Sequence, residues 1–374
     1  MPESVVVAMS GGVDSSAAAL LLHEAGYRVL GVTMKLYDLP ATQLPANYQG
    51  CCTVDDVEDA RRVCHRLGVA HHVFNLQREF KAYVTDYFLG EYQAGRTPHP
   101  CIACNERIKF DFLYQRAHLL GAEFVATGHY ARICREGSSY QLLKGLDPFK
   151  DQSYVLYSMG QQELERTLMP VGGYPKEEIR RLASDAGLPN ADKPDSQDIC
   201  FIPGGNYREY LRDHIKPQAG SIVDEDGRVL GKHDGIEHFT IGQRRGLGIA
   251  GRVPMYVIGI DAGHRRVVVG PEEHLYSSSL WASGVSYVSG SPPPVEEGVT
   301  AKIRYKSPEC EAVLTPAGPY AEIRFREPQR AVTPGQAVAL YQGEVVLGGG
   351  RIEAGPPADI GLSSARPSGS AVGS

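Results

Sequence analysis

The N-terminal residues constrain the fold of this chain more than any other part of the sequence. Residues 4–9 form an apolar run typical of a buried strand, residues 10–16 read Ser-Gly-Gly-Val-Asp-Ser-Ser, and residues 17–22 continue with the pattern of a helix. Adjacent glycines let backbone N–H groups turn toward an anion, and the positive end of the helix dipole points to the same place. The segment therefore predicts a phosphate-binding loop.

The glycine loop differs from the two commonest phosphate-binding motifs. No Lys follows the glycines, and the G-x-G-x-x-G spacing is absent. The segment resembles the SGGxDS pyrophosphate loop, whose superfamily holds the β and γ phosphates of ATP while the α phosphate is attacked. That resemblance implies an enzyme that adenylates a substrate oxygen and releases pyrophosphate. A glycine turn with a capping serine is the simpler alternative, and the strand-loop-helix context argues against it.

Composition restricts the class of protein. A chain of 374 residues is long enough for two or three domains. No apolar run approaches the roughly 20 residues that cross a bilayer, and no secretory signal is present, so we expect a soluble cytoplasmic protein without a membrane partner, and a monomer. The net charge of −6 argues against a generic nucleic-acid coat. A local basic surface could still be formed by the clusters Arg244-Arg245, Arg265-Arg266, and Lys302, Arg304 and Lys306.

The pattern of the elements changes along the chain. Up to about residue 130, short apolar runs alternate with helical patterns, which predicts an α/β fold with a parallel sheet. After about residue 206, glycine turns separate short alternating strands, which predicts a small linking module and then a β-barrel. We expect an ATP-binding catalytic domain at 1–205, a central linking domain at 206–275, a β-barrel at 276–355 and a disordered tail at 356–374.

The pair Cys101 and Cys104 follows two prolines in Pro98-His99-Pro100. The prolines argue against helix before Cys101, and the apolar spacing that follows predicts a helix starting near Cys104. A thiol at a helix N-terminus beside Arg107 or Lys109 has a lowered pKa, which makes a nucleophile plausible. A zinc knuckle is the alternative, but it normally needs a second C-x-x-C or paired His, and no such partner is present.

The other cysteines give weaker signals. Cys51 and Cys52 are adjacent, and Cys64, Cys134 and Cys310 stand alone in regular elements, so we interpret them as buried or incidental. Without a secretory signal, eight cysteines are more typical of thiols or ligands than of a disulfide framework. Cys200 follows a polar loop, and by itself it would more often be a core residue than a catalyst.

Several motifs occur in one order along the chain. They are SGGVDSS at 10–16, CIACNERIKF at 101–110, ATGHYAR at 126–132, KDQSYVL at 150–156, DSQDICFI at 195–202, GQRRGLGI at 242–249 and VTPGQA at 332–337, with three glycines at 348–350. In this order, and over nearly the whole chain, they resemble the tRNA-specific 2-thiouridylases of the MnmA type. The resemblance implies an adenine nucleotide alpha hydrolase-like domain that adenylates the C2 oxygen of wobble uridine 34 and replaces it with sulfur in tRNAs for Lys, Glu and Gln.

The resemblance also implies roles for individual residues. Cys200 would accept a persulfide from a sulfur relay or cysteine desulfurase protein, and Cys104 would be the nucleophile or disulfide partner that releases the sulfur. Asp14 is a further catalytic residue, and Mg²⁺ would bridge the phosphates. The residues implied to hold ATP are Ala8, Met9, Ser10, Gly11, Gly12, Val13, Asp14, Ser15, Met34 and Gly128.

A second group of positions matches residues that touch tRNA in this family. The segment His99, Pro100 and Cys101 would border the target base, which must leave its stack to be reached. His129 would lie beside the tRNA, although a lone His after a strand is usually structural. The other positions of this group are Lys150, Asp151, Gln152, Arg304, Tyr305 and Gln336. The β-barrel would grip the anticodon stem.

Cys101 complicates this interpretation because other members can carry Asp there. Cys101, Cys104 and Cys200 could therefore bind a [4Fe–4S] cluster with one open iron, although three cysteines are weaker evidence than four. Two other functions stay open. An amidating synthetase that uses ammonia would need the glycine loop but neither Cys104 nor Cys200. A redox or zinc-binding module with a passive RNA-binding barrel would not need the glycine loop.

Overall fold

The computed structural model describes residues 2–38, 54–195, 199–249, 253–294 and 298–357. Cys51 and Cys52, and nearly all of the tail at 356–374, lie outside these residues. Among the helices in the described ranges, none is both long and apolar enough to cross a membrane.

A five-stranded parallel sheet forms the centre of the N-terminal half. Its strands are hydrogen-bonded in the order β3-β2-β1-β4-β7, and each neighbouring pair runs parallel. The strands are β1 (Ser4–Ala8), β2 (Arg28–Lys35), β3 (Ala70–Asn75), β4 (Phe124–Ala126) and β7 (Thr167–Leu168). β1 is buried along its whole length, as expected for a central strand covered by helices on both faces. The predicted parallel-sheet fold is confirmed.

Helices connect these strands and cover the sheet. The described helices are α1 (Val13–Glu24), α2 (Val54–Leu67), α3 (Gln77–Phe80), α4 (Asp86–Gln93), α5 (Pro100–Ala103), α6 (Leu113–Leu119), α7 (Gln161–Glu165), α8 (Lys176–Asp185) and α9 (Tyr207–His214). Two π-helical segments, Lys81–Thr85 and Cys104–Phe112, join α3 to α4 and α5 to α6. π-Helical turns are rare and occur frequently at functional sites.

The C-terminal half consists of two β-structures. A small sheet has the strand order β10-β11-β8-β9, and a larger sheet closes on itself because β12 pairs with both β15 and β17. The closed part is a six-stranded barrel, which confirms the predicted barrel. The strands are β8 (Gly220–Val223), β9 (Val229–His233), β10 (Tyr256–Asp261), β11 (Arg266–Gly270), β12 (Tyr276–Tyr287), β13 (Val299–Lys302), β14 (Cys310–Ala317), β15 (Tyr320–Arg330), β16 (Ala337–Gln342) and β17 (Val345–Glu353).

A hairpin from the N-terminal half extends the sheet of the barrel. The hairpin consists of β5 (Ala131–Glu136) and β6 (Ser139–Lys144), and β6 pairs antiparallel with β17. Tyr154, from the 3₁₀ turn Ser153–Leu156, is fully buried, and its hydroxyl donates to the carbonyl oxygen of Ala337 at 2.8 Å. The two halves therefore share a continuous sheet and a common apolar cluster.

Two sequence predictions about local structure are wrong. The helix expected to start near Cys104 begins at Pro100, because proline at the first helical position loses no hydrogen bond that the helix needs. Cys104 is therefore the first residue of a π-helical segment and does not lie at a helix N-terminus. The alternating pattern of Ala301-Lys302-Ile303-Arg304-Tyr305 predicts a strand that runs to Tyr305. The strand ends at Lys302, and Ser307 closes a turn by donating to the carbonyl oxygen of Arg304.

We expect Tyr154→Phe to lower the free energy of unfolding by about 1 to 2 kcal/mol, because the buried carbonyl of Ala337 would lose its hydroxyl donor. Urea unfolding can be followed through the fluorescence of Trp281, the single tryptophan, which lies in β12. Tyr276→Phe is the control, since half of that side chain is exposed. Equal midpoints for the two variants would contradict the prediction.

Candidate active site

The glycine loop lies at the carboxyl end of β1, between Ala8 and the start of α1 at Val13. Gly11 has a φ of +75°, and a Cβ there would lie 2.8 Å from the Cα of Asp56, so another residue would be strained and crowded. Ser15 Oγ accepts from the backbone N–H of Ser10 at 3.2 Å and donates to the carbonyl of Gly12 at 3.1 Å. No side chain caps the first turn of α1. The loop is preorganised, and the helix N-terminus can receive an anion.

Two residues from distant segments fix the loop from outside. Asn190 donates through Nδ2 to the carbonyl of Gly11 and to Ser16 Oγ, both at 2.9 Å. A Cβ on Gly128 would lie 2.7 Å from the backbone of Asp14 and Ser15, so only glycine lets the end of β4 approach α1 this closely. Met34 follows on β2, the parallel neighbour of β1. The structure thus brings all the residues of the predicted ATP set to one edge of the sheet.

Asp14 belongs to a network of charged groups beside the loop. Its carboxylate accepts from the Tyr130 hydroxyl at 2.7 Å and from Lys176 Nζ at 2.7 and 2.8 Å. Lys176 also contacts Asp195 at 2.7 Å, and Asp195 further pairs with Lys150 and Arg180, both at 2.8 Å. Burial raises the pKa of Asp195, but its hydrogen bonds to Lys150 and Lys176 outweigh this and lower it to about 2.

Sequence reasoning missed Lys176, Arg180 and Asn190. Lys176 is the first residue of α8, where a cation opposes the helix dipole. A positive charge at the start of a helix, directly after Pro175, is unfavourable, and this feature of the sequence could have identified Lys176. Arg180 and Asn190 have no comparable signal, because their roles depend on contacts with residues far away in the sequence.

Cys104 and Cys200 lie in one apolar cluster. Cys104 is buried, Cys200 is half-buried, and both pack in the cluster that contains Ile108 and Phe201. Phe201 is held by the rings of Phe80, Phe88 and Tyr210, at centroid distances of 5.7, 5.4 and 5.5 Å. This aromatic packing fixes Phe201, the residue next to Cys200. Cys104 and Cys200, which the family resemblance implies to act together, therefore lie in the same apolar cluster.

Cys101 has a different environment from Cys104. It is exposed, whereas Cys104 is buried three residues later. Among the residues of the described ranges, no three His, Cys, Asp or Glu side chains are grouped so that they could hold a metal ion. In this structure Cys101, Cys104 and Cys200 are therefore not grouped as ligands of a [4Fe–4S] cluster, and Cys101 and Cys104 are not part of a group that could hold zinc.

His129 is buried directly after the sheet edge. Its Nδ1 lies 2.8 Å from Thr127 Oγ1, and its Nε2 lies 3.3 Å from Lys109 Nζ. Burial lowers the pKa of His129 well below its usual range, and the positive charge of Lys109 adds to this effect. The imidazole is therefore neutral at physiological pH and is held by the protein itself.

The segment Lys150, Asp151 and Gln152 is fixed by internal contacts. Lys150 pairs with Asp195, as described above. Asp151 accepts from the backbone N–H groups of Gly145 and Ser153 at 2.9 and 3.1 Å. The Gln152 side chain accepts from the backbone N–H of Tyr130 at 2.9 Å. These hydrogen bonds place the segment beside the charged network.

Three residues of the C-terminal barrel are also predicted to contact tRNA, namely Arg304, Tyr305 and Gln336. The ring of Tyr305 packs against that of Tyr154, with centroids 6.1 Å apart, and burial raises the pKa of Tyr305 to about 12. Gln336 Nε2 donates to the carbonyl oxygens of Thr97 and Pro98, at 3.0 and 3.1 Å. Arg304 donates to the carbonyl oxygens of Arg330 and Ala331, so part of its guanidinium is used within the barrel.

A cleft of about 530 Å³ lies between the C-x-x-C segment and the barrel. His99, Ile102 and Glu106 line one side, and Tyr320 and Arg351 line the other. Burial raises the pKa of Glu106 and lowers that of His99 to about 4. The cleft is wide enough for a group of about nucleobase size and is lined by both polar and apolar atoms.

Comparisons with known proteins cover almost the whole chain. Three family models match in succession: the tRNA methyl transferase HUP domain at residues 3–204, the tRNA methyl transferase PRC-barrel domain at 208–271 and the aminomethyltransferase beta-barrel domain at 277–352.

Curated relatives are similar over their full length. A protein of Roseiflexus castenholzii is 49% identical over 368 residues, which covers 93% of this chain and 98% of the relative. One of Geobacter metallireducens is 47% identical over 356 residues (94% and 96%), and one of Moorella thermoacetica is 49% identical over 355 residues (93% and 99%). All three carry the name tRNA-specific 2-thiouridylase MnmA.

The lowered pKa of His99 predicts a pH dependence of stability. Between pH 6.5 and about 4 the unfolded chain binds a proton at this residue and the folded chain does not, so stability falls as the pH falls through this window. One proton corresponds to a slope of at most about 1.4 kcal/mol per pH unit. We expect His99→Asn to flatten the slope in denaturant titrations at several pH values. The same change at exposed His118 is the control, and an equal effect there would refute the assignment.

Proposed function

Because the chain belongs to the family of tRNA-specific 2-thiouridylases of the MnmA type, we propose that it uses ATP to replace the C2 oxygen of wobble uridine 34 in tRNA with sulfur. The products are 2-thiouridine, AMP and pyrophosphate. The observation that carries the proposal is the presence of Cys104 and Cys200 in one apolar cluster, in a chain whose first loop has the form of a pyrophosphate-binding loop. An amidating synthetase that uses ammonia would have no need of this pair of cysteines.

The first chemical step makes the uridine oxygen a leaving group. The C2 oxygen attacks the α-phosphorus of ATP, the bond to the β-phosphate breaks, pyrophosphate leaves and an adenylated uridine forms. The glycine loop and the N-terminus of α1 would hold the phosphates. Mg²⁺ would accompany them, since it binds mainly through phosphates and one or two carboxylates, and Asp14 is the carboxylate that the loop offers.

The second step delivers the sulfur. A persulfide on Cys200 is attacked by the Cys104 thiolate, which releases hydrosulfide and leaves a disulfide between the two residues. Hydrosulfide then attacks C2, and AMP departs with the former C2 oxygen. A thiol reductant must reduce the disulfide before the next turnover. The persulfide itself comes from a sulfur relay or cysteine desulfurase protein.

The substrate would be the anticodon stem-loop of tRNAs for Lys, Glu and Gln. Base 34 lies in a loop, so moving it out of its stack costs little compared with a base in a duplex. His99 and Tyr305 both pack against the ring of Tyr154, Cys101 is exposed two residues after His99, and the barrel that carries Tyr305 would contact the stem. Gln336 would contribute a further contact with the RNA.

We expect Cys200→Ser to abolish formation of 2-thiouridine while pyrophosphate and adenylated tRNA continue to form, because serine cannot carry the persulfide. Cys104→Ser should give the same products and accumulate the persulfide on Cys200. The assay combines ATP, Mg²⁺, unmodified tRNA and a persulfide donor, with mass spectrometry of nucleotide, tRNA and protein.

The matched control is Cys134→Ser, which changes an exposed cysteine in the hairpin. It should keep at least half of the activity. Loss of pyrophosphate release together with thiolation in Cys200→Ser would contradict the division of roles. Absence of tRNA-dependent pyrophosphate and AMP from the unmodified protein would overturn the enzymatic proposal.

We further expect Gly128→Ala to weaken ATP binding about tenfold or more. Its Cβ would lie 2.7 Å from the backbone of Asp14 and Ser15 and would displace the first turn of α1. Gly90→Ala is the control, since that glycine is in α4 with no atom within 4 Å of an added Cβ. Isothermal titration calorimetry measures both affinities, and equal values for the two variants would show that Gly128 does not support the ATP site.

A further inference from the structure

Lys176 has an unusual environment for a lysine. Its side chain is only 8% exposed, and its ammonium contacts the carboxylates of Asp14 and Asp195, each at 2.7 Å. Removing an ammonium group from water is unfavourable unless its partners compensate for the lost hydration. As the first residue of α8, it also opposes the dipole of its own helix. A side chain kept in this position at such cost suggests a role beyond stability.

The glycine loop lacks a feature that other phosphate-binding loops contain. In the Walker A motif a lysine inside the loop reaches the β and γ phosphates. Here the loop contains no lysine. Lys176, which is 162 residues from Asp14 in sequence, lies beside the loop in the folded chain. Its ammonium lies against Asp14, in the first turn of α1, where the helix N-terminus would receive an anion.

Lys176 is part of a cluster of three cations that meet on one carboxylate. Lys150, Lys176 and Arg180 all contact Asp195, at 2.8, 2.7 and 2.8 Å. A carboxylate surrounded in this way occupies the position that a phosphate oxygen would prefer, since Lys and Arg bind both groups through the same charge-assisted hydrogen bonds. Asp195 also precedes Cys200 by five residues.

We propose that Lys176, together with Lys150 and Arg180, binds the β and γ phosphates of ATP and then the pyrophosphate product, and that Asp195 occupies this cation cluster when no nucleotide is bound. The inference rests on the proposed function, because it assigns the residues that neutralise the leaving group. Lys176 takes the place of the lysine that the loop lacks, and Asp195 competes with the phosphates for it.

Competition gives two substitutions opposite effects on pyrophosphate affinity. Lys176→Met removes one cation, and we expect it to weaken pyrophosphate and ATP binding about tenfold or more. Asp195→Asn removes the competing carboxylate, and we expect it to strengthen pyrophosphate binding several-fold. AMP lacks the β and γ phosphates, so its affinity should change less than twofold in Lys176→Met.

The experiment is calorimetric titration of the full chain with pyrophosphate, ATP and AMP, in the absence of tRNA. Arg96→Met is the matched control, because it removes the partner of another buried carboxylate, Glu91. It should leave pyrophosphate affinity within twofold. Lys176→Arg keeps the charge and should retain most of the binding if Lys176→Met proves unstable.

A purely structural network predicts a different result. In that case both Lys176→Met and Asp195→Asn would weaken binding, and AMP would be affected as much as pyrophosphate. That outcome, or pyrophosphate affinity unchanged in Lys176→Met, overturns the inference. Thiolation by the unmodified protein is measured separately, so pyrophosphate binding that depends on Lys176 without formation of 2-thiouridine would refute the proposed function and leave this inference intact.

Discussion

Parallel pairing of β1 with β2 and β4 is the constraint on which the site depends. Because parallel strands present their carboxyl ends at one edge of the sheet, the glycine loop, Met34 and the segment that follows Ala126 meet there. Lys176 then joins this edge to Asp195, which leads into the segment with Cys200. Sheet geometry thus collects the elements proposed to bind phosphate, and one buried ammonium connects them to the segment that leads to Cys200.

Much of this arrangement follows from local sequence. The strand-loop-helix at the N-terminus, the alternation of strands and helices and the change to short alternating strands all have periodicities that a single chain displays. Pro100 shows where local rules mislead: proline breaks a helix interior, but it is well suited to the first turn, and only the structure shows which position it occupies. The end of β13 at Lys302 depends similarly on the turn that Ser307 closes.

The rest of the site depends on contacts between residues far apart in sequence. Asn190 supports the loop across 179 positions, and Tyr154 reaches Ala337 across 183. No periodicity indicates such partners. The cysteines show both what local sequence indicates and what it does not. The motifs identified Cys104 and Cys200, whereas their common cluster depends on the packing of Phe201 among three rings. That Cys101 is exposed and does not complete a metal site could be learned only from the fold.

The β5–β6 hairpin has a consequence for how this chain could be divided. It lies inside the first family match, yet its backbone hydrogen bonds extend the barrel. A fragment ending near residue 205 would expose one side of β6, and an isolated barrel would expose β17, so each piece would present an open strand edge prone to aggregation. The boundary between the first and third family matches therefore separates two strands that hydrogen-bond to each other, and we expect a division of the chain near residue 205 to destabilise both pieces.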